Sequence, residues 1–123
     1  MSRVIRLPAD NPPTYRHTVT VPPNGIVRDL NPGAPHDDTV LVIMQIQAEA
    51  PATVDRTAIF SFRVNDRVMF TASIADLLGA GISFDGIFRL TGNDDVRVDP
   101  VYWDGDFTGT SFLVRYEKVE KPR

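Results

Sequence analysis

From Phe88 to Tyr116 the chain reads FRL-TGNDD-VRV-DPVYWDGDFTG-TSFLVRY. Three short alternating runs are separated by an acidic turn and a Gly-Asp loop, with no room for a helix between them. Such spacing predicts three consecutive antiparallel strands and sets the class of the whole chain as all-β. The loop before the last strand also carries the only tryptophan, Trp103.

Upstream, the same period-two pattern recurs. Tyr15 to Val21 places Tyr15, His17, Val19 and Val21 on one face, and Pro22-Pro23-Asn24-Gly25 ends it. Ile26 to Leu30 reads as a short strand closed by Asn31-Pro32-Gly33. Thr39 to Ala48 begins apolar on both faces, as a central strand covered on two sides does. Ala58 to Val64 alternates, Asn65-Asp66 supplies a two-residue hairpin turn, and Arg67 to Ala72 returns. Ser73 to Leu78 is the one helical turn, with Ser73 as cap, Asp76 in the first turn and Gly79 at the end. Ile82 to Phe84 and Ile87 to Leu90 are broken at Asp85-Gly86, and Thr110 to Val119 closes the domain. About eight strands with turns every eight to twelve residues predict an antiparallel β-sandwich or jelly roll, a small barrel being the alternative.

Seven of the ten prolines lie in the first 35 residues: Pro8, Pro12, Pro13, Pro22, Pro23, Pro32 and Pro35. Proline cannot donate to a sheet ladder, so this third of the chain is expected to form edge strands and an extended arm. The expected division is an arm over residues 1–14, a sandwich over 15–119 and a frayed tail over 120–123. With 123 residues, 42% hydrophobic and 24% charged, the chain is long enough to fold as one domain.

Composition excludes several functions. There is no cysteine, which removes disulfides and thiolate chemistry. Net charge is −3 with both signs interspersed, and no basic block exists to bind nucleic acid. The longest apolar run, Val40 to Met44, is far short of a membrane span, and the start has no signal-peptide pattern.

Site templates mostly fail. His17, on an alternating strand, reads as structural rather than as a base. His36 with Asp37 and Asp38 offers a metal too few ligands aimed at one point. Gly81-Ile82-Ser83-Phe84-Asp85-Gly86 is one residue too long for a hydrolase elbow, and Gly79-Ala80-Gly81 lacks the third glycine of a dinucleotide loop. Asp104-Gly105-Asp106-Phe107-Thr108-Gly109 opens like a calcium loop, but Arg115 stands at the twelfth position. Asn93, Asp94, Asp95 and Asp99 would add oxygens if the two turns converged. Hairpin turns use the same residues, and that is the reading adopted, with no cofactor expected. Paired carboxylates for glycoside hydrolysis would need an apolar cleft, for which nothing in the sequence argues. Tyr102, Trp103 and Phe107 form an aromatic cluster suited to a lid, a subunit contact or a sugar platform.

Leu90, Gly92-Asn93-Asp94-Asp95, Val96, Val98 and Thr110-Ser111-Phe112-Leu113 resemble the closing strands of C1q- and TNF-like jelly rolls, over about a quarter of the chain. The chain departs from that pattern by an inserted Asn-Asp and by Leu113-Val114 where a glycine is usual. The resemblance implies a trimer formed through aromatic residues near a three-fold axis. In form, the cysteine-free β domain with its Pro-rich arm is similar to small bacteriophage head-decoration or cement proteins. That resemblance implies a non-enzymatic virion protein, made in the host cytoplasm, that stabilises a capsid as a homotrimer. Arg3, Val4, Ile5 and Leu7 of the arm, with Tyr102, Trp103 and Phe107, would contact the major capsid protein or another virion protein. The alternative is a tail, baseplate or fibre-tip module that recognises surface carbohydrate or a virion protein. A small hydrolase or isomerase is the third reading.

Overall fold

The computed structural model describes residues 13–36 and 38–120. The strands are β1 (Tyr15–Thr20), β2 (Thr39–Glu49), β3 (Ile59–Val64), β4 (Arg67–Ser73), β5 (Ile82–Leu90), β6 (Val96–Tyr102) and β7 (Ser111–Glu120), with one short helix, α1 (Ile74–Leu77), between β4 and β5. They form two antiparallel sheets, ordered β1-β7-β2-β5 and β4-β3-β6. Two separate sheets make this a sandwich rather than a barrel.

The expected strand at Ile26 to Leu30 is reduced to one antiparallel bridge, Val27 to Val98. The Pro-rich sequence on both sides limits it, because proline gives the ladder no N–H. That bridge still adds a fourth position to the smaller sheet, beside β6. Counted as the second of eight strands in chain order, it makes the two sheets read 1-8-3-6 and 5-4-7-2. This interleaving of first with last and second with seventh is jelly-roll connectivity.

Inward faces follow the sequence alternation. Phe60 and Phe62 of β3 meet Phe112 of β7 edge-on, with ring centroids 5.3 and 5.4 Å apart. Leu41, Ile43 and Ile46 of β2, Val98 of β6 and Val114 of β7 are essentially fully buried around them. On the flank where β4 faces β5, Phe62 stacks on Phe70, Phe70 meets Phe84, and Phe84 meets Phe88. This aromatic ladder packs along that flank of the sandwich.

The turns follow local chemistry. Asn65 and Asp66 both adopt positive φ, 51° and 67°, as a two-residue hairpin turn needs. Ser73 caps α1 and forms a capping box with Asp76. Asp85 (φ 52°) and Gly86 (φ 81°) do not end a strand as expected. They lift a short excursion out of β5, which resumes its pairing with β2 at Phe88, opposite Ile43. Strand β7 extends one residue past the expected end, and Glu120 accepts a hydrogen bond from the buried Thr39 hydroxyl at 2.6 Å.

Candidate functional site

At one end of the sandwich, the loop from 103 to 110 joins β6 to β7 and packs against the segment from 50 to 58. Asp55 organises it. One carboxylate oxygen of Asp55 accepts the backbone N–H groups of Asp104 (2.8 Å) and Gly105 (3.0 Å). The other accepts the N–H and hydroxyl of Thr57 at 3.0 and 2.6 Å. The Asp55 N–H in turn donates to the Asp106 carbonyl at 2.7 Å. Asp106 and Thr108 repeat the same local motif, with the Thr108 hydroxyl 2.6 Å and its N–H 2.9 Å from the Asp106 carboxylate. Both carboxyls are held below their ordinary pKa, first by the hydroxyl of Thr57 or Thr108 and then by backbone N–H donors.

The apolar half of the loop is anchored by Phe107. Its ring is buried, edge-on to Phe60 at 5.6 Å, and Trp103 meets it edge-on at 6.2 Å. Gly25 is required beneath it: a Cβ there would lie 2.9 Å from the Phe107 ring and 2.6 Å from Pro100, at a φ of +79°. Above this anchor three consecutive residues face outward. Val101, Tyr102 and Trp103 are 52%, 51% and 53% exposed.

Phe107 therefore differs from the expectation that placed it at a contact surface. It belongs to the core, at 8% exposure, and supports Trp103 from below. Tyr102 and Trp103 are each half-exposed. Arg3, Val4, Ile5 and Leu7 fall outside the described residues, and so does Asp37.

The candidate cation residues do not meet. Asp94 and Asp95 precede β6, whereas Asp104 and Asp106 follow it, so the seven extended residues of β6 separate the pairs. At about 3.3 Å per residue the separation is roughly 20 Å. Each turn is already satisfied internally. Burial pushes the Asp94 pKa up, but donors outweigh it and leave it below the ordinary value: the Thr91 N–H at 2.8 Å and the Asn65 amide at 2.9 Å. The Asn65 side-chain oxygen accepts the Asp95 N–H. Asp99, midway along β6, faces Arg97 Nε at 2.8 Å and Arg63 Nε at 3.6 Å. Among the described residues no group of three or more His, Asp or Glu side chains is gathered to hold a metal.

The remaining motifs resolve as structure. His17 Nε2 lies 2.7 Å from the Asp29 carbonyl oxygen and ties β1 to the segment beneath it. His36 is exposed in a turn whose carbonyl accepts the Thr39 N–H. Gly79 and Ala80 offer their carbonyls to the side chains of Gln47 and Gln45, so the glycine pair is the turn that seats α1 on β2.

Asp55 is the residue that sequence reasoning missed. Asp-x-Thr at 55–57 signals a local turn, but no sequence signal shows that its second oxygen reaches a loop 49 residues away. Compared with known proteins, the chain matches no family model and no curated protein sequence.

Proposed function

We propose that this chain is a non-enzymatic structural protein of a bacteriophage particle, which decorates and stabilises the capsid. The observation that carries the contact reading is the exposure of Val101, Tyr102 and Trp103, three consecutive large apolar side chains. Large apolar and aromatic side chains held half-exposed at the end of a strand and the start of a hydrogen-bonded loop lose little entropy when a partner covers them. Aromatic residues of this kind dominate the energy of protein contacts. The carboxylates of Asp55 and Asp106 are occupied within the loop, which makes them positioning groups for the rings. A phage shell as the partner comes from the likeness in form to cement proteins. A protein that binds the assembled lattice and not its separated subunits strengthens the shell by mass action.

A second reading rests on the same rings. Adjacent exposed Tyr102 and Trp103 beside the Asp104 carboxylate suit the apolar face and hydroxyls of a sugar, as in a fibre-tip module.

Copy number in purified source virions, by quantitative mass spectrometry with immunogold localisation, tests the first reading. The expected result is a stoichiometric protein on the head, and a folded Trp103→Ala variant that no longer co-sediments with particles. Absence from particles overturns it. Loss of glycan-array binding in Trp103→Ala, with no head localisation, establishes the second reading instead.

A further inference from the structure

A two-sheet sandwich has open edges, and here they are unequally protected. The free edge of β5 is interrupted by the excursion at Asp85 and Gly86. The free edge of β4 carries a bulge at Met69, between Val68 opposite Arg63 and Phe70 opposite Phe62, and then turns into α1. The edge of β6 is covered by Val27 and interrupted by Pro100. Bulges, prolines and covering segments are the usual means of preventing strands of separate molecules from pairing.

Among the described residues, strand β1 has none of these. Its register with β7 runs without a shift from Tyr15–Tyr116 to Thr20–Ser111. Its sequence, YRHTVT, contains no proline, glycine or lysine and is rich in residues that favour strands. Among the described residues it pairs with β7 on one side and with no strand on the other. The ladder also shows which groups point away from β7. Val21 N–H donates to the Thr110 carbonyl of the β7 side. Alternation along the strand then turns the odd residues toward β7 and directs the N–H and C=O groups of Arg16, Thr18 and Thr20 outward.

We infer that β1 is a self-association edge, on which a second copy of this chain adds its own β1 antiparallel about a two-fold axis beside Thr18. In that register Thr18 pairs with Thr18, and Arg16 with Thr20, so all three outward-facing residues find partners. The faces match as well. Residues 17 and 19 lie on the core side of both strands, and Arg16 meets a threonine instead of its own copy. The two four-stranded sheets become one continuous sheet across the pair. The occupant is a second copy because the strand is self-complementary in hydrogen bonding, in face and in charge. This inference does not depend on the capsid reading. A two-fold pair is also a different assembly from the three-fold one implied by the jelly-roll resemblance.

Sedimentation equilibrium of the full chain over a wide concentration range tests it. The expected result is a monomer–dimer equilibrium that Thr18→Lys weakens about tenfold or more, since like charges directly opposite on paired strands repel. Thr71→Lys, on the exposed face of the bulged β4, leaves the equilibrium unchanged. The chain has no cysteine, so Thr18→Cys supplies a second readout. Directly paired residues on antiparallel strands have Cα atoms about 4.5 to 5.5 Å apart, within disulfide reach. Mild oxidation is therefore expected to cross-link Thr18→Cys far faster than Thr71→Cys. A monomer or a trimer throughout overturns the inference. So does a dimer that Thr18→Lys leaves intact, or equal cross-linking at the two cysteine positions.

Discussion

Phe107 and Trp103 touch each other, yet they are expected to respond in opposite ways to truncation. Phe107 is 8% exposed and lies between Phe60 and Gly25, whereas Trp103 is 53% exposed above it. An aromatic side chain of this class buries about 150 to 250 Å². At about 25 cal/mol per Å² that burial is worth about 4 to 6 kcal/mol. A compact unfolded chain already hides part of this area, which lowers the figure to about 3 to 4 kcal/mol. Measured Phe→Ala costs in cores, about 3 to 5 kcal/mol, agree. Phe107→Ala is therefore expected to lose about 3 kcal/mol of stability. Trp103→Ala gives up one edge-on ring contact and its lower face, about 1 kcal/mol. Urea unfolding separates the two. With a slope of about 1.5 kcal/mol per molar, the Phe107→Ala midpoint falls by about 2 M and that of Trp103→Ala by less than about 1 M. Equal losses would refute the division into a buried anchor and an exposed contact ring. They would make Trp103 a lid on the core, and its exposure would lose its bearing on a partner.

The loop and its glycines support two further tests. Because the Asp55 and Asp106 carboxyls sit below their ordinary pKa, their contribution to loop order is complete above the unfolded value near about 4 and is lost as pH falls through the lower folded values. Trp103, the only tryptophan, is expected to report that loss as a fluorescence change confined to pH below about 4. In Asp55→Ala the amides of Asp104 and Gly105 exchange quickly even at neutral pH, and unaltered exchange would remove Asp55 from its organising role. Gly25→Ala combines a φ of +79° with a collision against Pro100 and is expected to cost about 2 to 4 kcal/mol. Gly86→Ala, at φ +81° in open space, costs only about 1 kcal/mol. Similar thermal shifts in the two glycine variants would contradict the close packing assigned beneath Phe107.

The parts of the fold legible in the sequence are those governed by neighbours along the chain. Period-two alternation predicts strands over 58–64 and 110–119, and Phe60, Phe62, Phe112 and Val114 turn inward together because successive side chains of a strand point to opposite sides. Asn65-Asp66 and Ser73-Asp76 were legible as turn and cap because their hydrogen bonds close within a few residues. The excursion at Asp85-Gly86 was misread as a strand end. Positive φ breaks the local pattern, but pairing with β2 resumes only because Ile43 and Gln45 lie opposite.

Composition and alternation by themselves determined the all-β class and a chain without cysteine or a basic block. Only the tertiary structure decided what the aromatic and acidic residues do. It set Phe107 in the core and left Trp103 outside, although both belong to one five-residue stretch. It put Asp94 and Asp104 at opposite ends of β6, although the sequence separates them by only ten positions. It joined Asp55 to a loop 49 residues away and, among the described residues, left β1 with no strand on its outer edge. The physical reason is the same throughout. Alternation and turn chemistry act between near neighbours, whereas burial, convergence of ligands and the partnering of an edge depend on which distant strands pack together.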